Sequence, residues 1–578
     1  MENFFTDNED ILFHLEHLDI DRIIQLKEDN FAQAEQYAHA PKDTADARDS
    51  YRLVLSIIGE ICGGFIAPNA PTVDEAGPTL ADNQVTLNPA TRKAWDMLAQ
   101  ADMMGFCVPR QYGGLNMPCT ILSIASEIFA RADASFLNFG LQQDIAETIN
   151  KFASEEQKNT YLPKLCSGEW DSSMILTEPD AGSDLQSVNL RSLRVMQGED
   201  GKWYLNGVKR FITNGCGTIG LVLARSEEKG KGARGLSFFL YKRDDNMIIR
   251  RLEHKLGIHG SPTCELQFNN APSELVGERQ RGLTKYTLWL MNMARLGIAA
   301  QGIGIAEAAY READLYAAKR IQFGVPVRDL PAVFEMLTEM KVSIEAGRSL
   351  LYETSRFVDL KETLEEYSEK HPEDKGEITE EKKKYAKLSN FFTPMVKAYA
   401  AEMANKVTFD AIQIHGGAGY MKDFNVERYY RDARITNIYE GTTQLQIVAA
   451  IGPVTSGVAQ MILDEYDRAG YRHSPDLLVK VREARNLFDE TLEYAKAYKD
   501  HEHFLTFHSR RLVEMATDLV LSYLLLRDGN HNERKQKAAA VFIAKMPSRI
   551  RANRDFILGE DGTLLKNYQA VIGKTSDI

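Results

Sequence analysis

The chain has 578 residues, of which 44% are hydrophobic, 26% charged and 9% aromatic. This is the composition of several folded domains, and it excludes disordered, collagenous and disulfide-scaffold proteins. The 69 Lys and Arg against 82 Asp and Glu leave a net charge of −13, which opposes binding to nucleic-acid phosphates or anionic lipid except through a local basic patch.

Met1 to Asp7 is acidic and has neither a basic n-region nor an apolar h-region, so no secretory or transit peptide is expected and the expected location is cytoplasmic. No apolar run approaches the roughly 18 residues of a membrane span, so a membrane contact would be peripheral. Cys62, Cys107, Cys119, Cys166, Cys216 and Cys264 form no Cys-x-x-Cys pair, which argues against a zinc site or a disulfide framework and predicts no metal. From residue 9 to about 165 the apolar spacing is helical, as in Ile11, Leu12, Leu15 and Leu18, and predicts an all-helical amino-terminal part. From Gly168 to about Phe268, short runs such as Leu221-Val222-Leu223 and Leu236 to Leu240 alternate with Gly, Asn and Asp turn signals, which predicts a β domain. Helical spacing returns after Gly282. The charge-dense stretch Ser355 to Tyr385 reads as a solvated insertion between two helices. No internal repeat is present.

Four stretches carry chemistry. Leu176-Thr-Glu-Pro-Asp-Ala-Gly-Ser-Asp-Leu185 places Ala181-Gly182 and the hydroxyls of Thr177 and Ser183 at the entry to the β domain, where backbone can approach a bulky ligand; alone it reads equally well as a capped turn. Phe211-Ile-Thr-Asn-Gly215 is a second hydroxyl-bearing corner after a predicted strand. Gln413-Ile-His-Gly416-Gly417-Ala-Gly419 offers main-chain amides to a diphosphate, whereas Gly302-x-Gly304 lies within a helical run and fails the context of a dinucleotide fingerprint. In Tyr439-Glu440-Gly441-Thr442-Thr443-Gln444 a single carboxylate stands among apolar and aromatic neighbours, a setting that raises its basicity if buried; the alternative is a surface Glu at a helix start.

In this combination and order the stretches resemble the acyl-CoA dehydrogenase family over about residues 85–450. The resemblance includes Glu155 to Lys158 with Tyr161-Leu-Pro163, Lys255-x-Gly257 with Ser261-Pro-Thr263, Arg320-x-Gln322-Phe-Gly324, and the Gln413 to Asp432 signature. It implies an α+β fold: an amino-terminal helical extension (1–84), a helical domain (85–168), a central antiparallel β-barrel-like domain (169–284), a four-helix domain (285–455) and a carboxyl-terminal helical extension (456–578). It further implies FAD as cofactor, acyl-CoA as substrate, an electron-transfer flavoprotein as partner, and a homodimer or homotetramer.

By the same resemblance, Met174, Leu176, Thr177 and Ser183 with Phe211, Ile212 and Thr213 would cradle the isoalloxazine, Thr213 near N5. Arg320 and Gln322, with Gln413, His415, Gly416 and Gly417, would bind the adenosine diphosphate part from a neighbouring subunit, and Thr442, Thr443 and Gln444 would add flavin contacts. Ser183, Asn292, Arg295 and Gly441 fall on acyl-CoA contacts, and Glu440 falls on the base that removes the α-proton while flavin N5 takes the β-hydride. The chain departs from the family pattern at Phe211 (often Trp), at Asp180 (often Gly) and over Val325 to Pro331, which lacks a frequent His-Gln pair. Ala294 stands where some members carry the base and cannot serve as one.

An acyl-CoA oxidase shares this fold and base but admits oxygen to the reduced flavin, and a non-catalytic homologue is the reading from another class. The acyl-pocket floor is expected near Phe139 to Asp144, where Gln142-Gln143 suggests a polar or bulky acyl end; the alternative is that both glutamines face solvent. Arg534 to Arg554 holds seven Lys or Arg and no acid, which reads either as the solvated face of a supporting helical layer or as a peripheral membrane contact.

Overall fold

The computed structural model describes residues 2–140, 143–188, 193–197, 202–227, 232–471, 473–498, 501–559 and 563–573. The chain forms two compact units, Met1–Leu445 and Gln446–Ile578.

The first unit opens with helices Glu9–His17, Asp21–Lys27 and Thr44–Ile61, the last running on through a π-helical turn, Cys62–Ile66, to Ala76. Asn8 caps the first and Asp43 the third by accepting main-chain N–H groups, which satisfies donors that a helix start leaves open. Among the described helices, Thr44–Ala76 is long and apolar enough on average to cross a membrane, although half of its most apolar stretch is buried within the fold. Its apolar residues are interrupted, as expected, yet its mean hydropathy reaches the range of a span. The all-helical expectation also gives way at the hairpin Thr79–Ala81/Gln84–Thr86. Its two-residue turn, Asp82-Asn83, has φ of 48° and 60°, a left-handed pair that short polar side chains tolerate and that matches strand twist. Helices α1 (Cys119–Ala132) and α2 (Gln143–Phe152) follow.

The central sheet consists of β1 (Ser172–Ile175), β2 (Leu193–Gln197), β3 (Trp203–Thr213), β4 (Ile219–Arg225), β5 (Leu236–Lys242), β6 (Met247–Leu252) and β7 (Thr263–Leu275). The order is β1-β4-β2-β3-β7-β5, with β6 also on β7 and an additional β4–β5 pairing. The sheet curls as expected but is mixed rather than purely antiparallel, because β1 runs parallel to β4. All of β4 is buried, as befits a strand covered on both faces. A register shift between Lys209 and Ile212 on β3 puts Phe211 at φ 63°, and this bulge leaves the ring half exposed.

Three long helices complete the unit: α3 (Leu288–Lys319), α4 (Pro331–Lys370) and α5 (Lys375–His415). Gly302 and Gly304 permit close helix packing, since a Cβ would lie 2.9 Å from the Ala400 carbonyl oxygen or 2.4 Å from that of Glu127. The expected solvated insertion at 355–385 is absent. That stretch forms the end of α4 and the start of α5, with Phe357, Val358, Leu360 and Leu364 buried, and most of its charges lie on the opposite faces; Asp359 is buried and accepts from the Cys119 and Thr120 amides at 2.7 Å.

At the centre of the helical layers, Arg348 on α4 is fully buried. Its guanidinium donates to Glu127 on α1 at 2.9 Å and to Glu307 on α3 at 3.0 Å, and it also bonds Asp10. Tyr352 donates to Glu127 at 2.7 Å. One cation thus bridges three buried carboxylates on three other helices, and Arg311 shares Glu307 with it at 2.7 Å.

The second unit comprises α6 (Val458–Arg468), α7 (Pro475–Ala497), α8 (His501–Gly529), α9 (Glu533–Gly559) and α10 (Thr563–Ile572). Helices α7, α8 and α9 pack around Val481, Phe488, Leu492, Leu519, Ile543 and Ile550. The basic stretch lies on α9, where Arg549 pairs with Asp518 and Lys537 with Glu533.

Arg348→Met should lower stability by about 3–5 kcal/mol, because it deprives the buried carboxylates of Glu127 and Asp10 of this cation. Urea unfolding at pH 7 measures this, and a loss below about 1 kcal/mol, the size of a surface pair, contradicts it.

Candidate active site

Between α1, α2, the sheet and α3 lies a cavity of about 1030 Å³. Its β-domain wall is formed by Met174, Leu176, Thr177, Gly182, Ser183, Phe211, Ile212 and Thr213. The local fold keeps this wall stiff. Lys209 is fully buried and donates to the Leu176 carbonyl at 2.7 Å, to Glu178 Oε1 at 2.9 Å and to the Leu223 carbonyl at 2.8 Å. Glu178 and Ala181 close a tight turn by exchanging main-chain hydrogen bonds, and the Arg210 amide donates to the Thr177 carbonyl at 3.0 Å. Burial lowers Lys209 to about 8, and its three acceptors make it an internal clamp. At Gly182 an added Cβ would meet only Thr177 Cγ2, at 3.8 Å. An apolar wall with hydroxyls at its edge, an open glycine and a half-exposed Phe211 fits a broad planar ring.

Glu440 lines the same cavity, next to Gly441 and Thr442. Glu440 and Gly441 have φ of 53° and 87°; for Glu this is a strained conformation costing of order 1–3 kcal/mol. The corner is held by Lys397 on α5, whose Nζ donates to the Gly441 carbonyl at 2.6 Å. The neighbouring Tyr439 hydroxyl bonds Gln301 and lies 3.3 Å from Asn138 Oδ1. Burial pushes Glu440 up to about 7, the charge of Asp144 on α2 adds to this, and Arg295 and Lys397 oppose it. Burial likewise raises Asp144 to about 6 and lowers Lys397 to about 8. Arg295 lines the cavity and donates to Asn292 Oδ1 at 2.9 Å.

The cavity therefore unites Met174, Leu176, Thr177, Ser183, Phe211, Ile212, Thr213, Arg295, Glu440, Gly441 and Thr442. Thr443 is buried beside it and accepts from Asn437 Nδ2 at 3.0 Å. The remaining candidates lie outside its lining. Arg320 precedes, and Gln322 belongs to, an exposed hairpin, Ile321–Gln322/Val325–Pro326, whose tip, Phe323, is 91% exposed. Gln413, Gly416, Gly417 and Gln444 are exposed. His415 is buried, stacks on Tyr316 at 4.3 Å and bonds the Ala411 carbonyl through Nδ1 at 2.8 Å, which makes it an anchor for the glycine corner. Gln142 lies outside the described residues, and the Gln143 side chain is likewise undescribed. Lys397, Lys209, Asp144 and Glu147 were not among the candidates as site groups. Lys397 had one legible signal, a lone cation within the run Phe391 to Ala401.

Family models for the acyl-CoA dehydrogenase N-terminal, middle and C-terminal domains match residues 58–169, 173–271 and 296–444. A fourth, described as acyl-CoA dehydrogenase C terminal, matches residues 455–559. The 3-methylmercaptopropionyl-CoA dehydrogenase of Ruegeria pomeroyi is 35% identical over 430 residues, 70% of this chain and 70% of that protein. The chain belongs to the acyl-CoA dehydrogenase family. Butyryl-CoA dehydrogenase from Megasphaera elsdenii aligns with a TM-score of 0.60 at 29% identity, over 70% of this chain and 97% of that one. An acyl-CoA dehydrogenase from Bacillus anthracis complexed with FAD shares the fold, with a TM-score of 0.75 at 22% identity over 92% of each chain. As an acyl-CoA dehydrogenase family member, this protein is an FAD-dependent oxidoreductase, and the wall from Met174 to Thr213 fits the flavin ring.

The raised basicity of Glu440 carries a stability consequence. Its folded value, about 7, exceeds the ordinary 4.5, so its ionisation opposes folding: stability falls as pH rises from about 4.5 to 7 and stays reduced above that. Glu440→Gln should therefore be more stable than the parent at pH 8, by an amount of order 3 kcal/mol, with the advantage vanishing near pH 4.5. Unfolding curves at pH 5 and 8 test this, and an equal difference at both values contradicts it.

Proposed function

We propose that this acyl-CoA dehydrogenase family member converts an acyl-CoA thioester to its trans-2-enoyl-CoA, with Glu440 as the base. The observation that carries the reading is a carboxylate with basicity raised to about 7, lining the same cavity as the flavin-cradle residues. A base poised near ambient pH combines a useful ionised fraction with proton affinity. Glu440 takes the α-proton, the electrons of that C–H bond become the new double bond, and the β-hydrogen leaves as hydride. FAD, when bound, supplies the acceptor for that hydride. The main-chain amide of Glu440 serves as a donor to the thioester oxygen, which acidifies the α-carbon. Arg295 and Lys397 keep ionisation within reach despite burial, and Lys397 holds the corner that aims the carboxylate.

The reading extends to an electron-transfer flavoprotein as acceptor and to a homo-oligomer. Arg320, Gln322, Gln413, Gly416 and Gly417 are solvent-facing and outside the cavity lining, which supports their serving the diphosphate of a cofactor seated in a second subunit.

Acyl-CoA addition should bleach the bound flavin, and Glu440→Gln should abolish this at least about a thousandfold while acyl-CoA still binds; unchanged bleaching removes the mechanism. Because the working form of Glu440 is ionised, kcat/KM should rise with pH, close to tenfold per unit well below 7, and level off above it. A profile flat from pH 5.5 to 8 contradicts the assignment. Peroxide formed at the rate of substrate loss in air would identify an oxidase instead.

A further inference from the structure

Behind the flavin wall, two cysteines meet where β3 gives way to a turn. Cys264 is the second residue of β7 and is fully buried, whereas Cys216, just beyond the end of β3, is partly exposed. In the β3–β7 register Ile212 faces Cys264 and Thr213 faces Thr263. The chain then folds back, with the Gly215 amide donating to the Ile212 carbonyl at 3.2 Å and the Gly217 amide to the Asn214 carbonyl at 2.8 Å. This turn lies directly on Cys264. A Cβ added at Gly215 would stand 2.8 Å from Cys264 Cβ, so glycine is what admits the approach.

The turn brings the Cys216 thiol against the Cys264 sulfur, and Cys216 Sγ also lies 3.5 Å from Asn214 Oδ1. Cys264 falls below its ordinary value because Cys216 donates to it; burial opposes this, and the Cys216 and Gly215 amides and the Lys255 charge assist. The same hydrogen bond raises Cys216. The two sulfurs therefore share one proton more readily than a lone buried thiol gives up its own. Burial instead holds Cys62, Cys107, Cys119 and Cys166 protonated. The pair also adjoins the cavity, since Ile212, Thr213, Thr263 and Lys255 all line it.

We propose that Cys216 and Cys264 are a reversible dithiol–disulfide site, oxidised by hydrogen peroxide, whose closure fastens the flavin corner to β7. Peroxide arrives from the Cys216 side, the exposed one. In the singly ionised pair the shared proton passes to Cys264 and the Cys216 sulfur attacks a peroxide oxygen. An S–O bond forms, the O–O bond breaks, and the departing hydroxide takes up the proton that the pair gave to solvent. The Cys264 thiol then attacks the Cys216 sulfur: the S–S bond forms, the S–O bond breaks, and a second water leaves with the Cys264 proton. Two thiols lose two electrons and one peroxide gains them, and an external dithiol restores the pair by exchange. A disulfide needs Cβ atoms about 3.5–4.5 Å apart, and thiols already in contact have only to rotate toward each other. Such a pair suits a compartment where other thiols stay reduced.

The FAD-loaded, full-length protein is exposed to a small molar excess of hydrogen peroxide, free thiols are alkylated after denaturation, and peptides are mapped by mass spectrometry. A linked Cys216–Cys264 peptide should be the main oxidised species and should vanish on treatment with dithiothreitol. It should be absent from Cys216→Ser, while Cys62, Cys107, Cys119 and Cys166 remain alkylated. FAD release in moderate urea, followed by flavin fluorescence, should be at least about threefold slower in the oxidised parent than in the reduced one, and unchanged by peroxide in Cys216→Ser and in Cys264→Ala. No linked peptide, links among the other cysteines in equal yield, or a sulfinic Cys216 beside a free Cys264 overturns the disulfide site. A confirmed link that leaves FAD release unmoved overturns the fastening of the corner.

Discussion

A carboxylate becomes a useful base only where water is scarce, and scarcity of water also resists its ionisation. The site is arranged around that conflict at Glu440. Burial and the neighbouring Asp144 raise its basicity, and Arg295 and Lys397 stop the rise near neutral pH. The left-handed corner at Glu440-Gly441 turns the side chain into the cavity, and Lys397 fastens it through the Gly441 carbonyl. The same lysine therefore works twice, as a charge tempering the base and as a hydrogen bond fixing its backbone. The strain stored at this corner is sustained because α5 and the helix following Gly441 are themselves firmly packed.

A site of this kind needs walls that do not yield. In the sheet, Lys209 gathers three acceptors under the flavin-cradle turn, so the chain from Leu176 to Ser183 is supported from beneath rather than by its own turn chemistry. In the helical layers, Arg348 draws together carboxylates from α1, α3 and the first helix of the chain. Buried ions of this sort contribute less to net stability than to uniqueness of arrangement, since any other packing would leave a charge alone. Gly302 and Gly304 add to this by letting α3 approach α5 and α1 to backbone contact. Asp7 matters to this frame as well, because it pairs with Arg131 at 2.6 Å.

Much of this was legible before any coordinates. The switch from helical to strand spacing near Gly168 and back near Gly282 places the sheet, and Leu176 to Leu185, Phe211 to Gly215 and Tyr439 to Gln444 mark three of the cavity walls. Two local patterns misled. The charges between Ser355 and Tyr385 mimic a loop because each long helix shows its charged face to solvent every third or fourth residue, while Phe357 and Leu364 go inward. The hairpin at Thr79 to Thr86 has strands too short to register against the surrounding helical spacing.

The sequence by itself determined the succession of helical and strand segments, the family and the carboxylate proposed as the base, because these depend on local periodicity and on contiguous motifs. What only the tertiary structure decided is the company that base keeps. Lys397 and Asp144 are separated from Glu440 by 43 and 296 positions along the chain, and neither sits in a motif that announces it. Their roles follow from burial and mutual distance, which set each group's desolvation and the charges that face it, and those quantities exist only once the helices have packed.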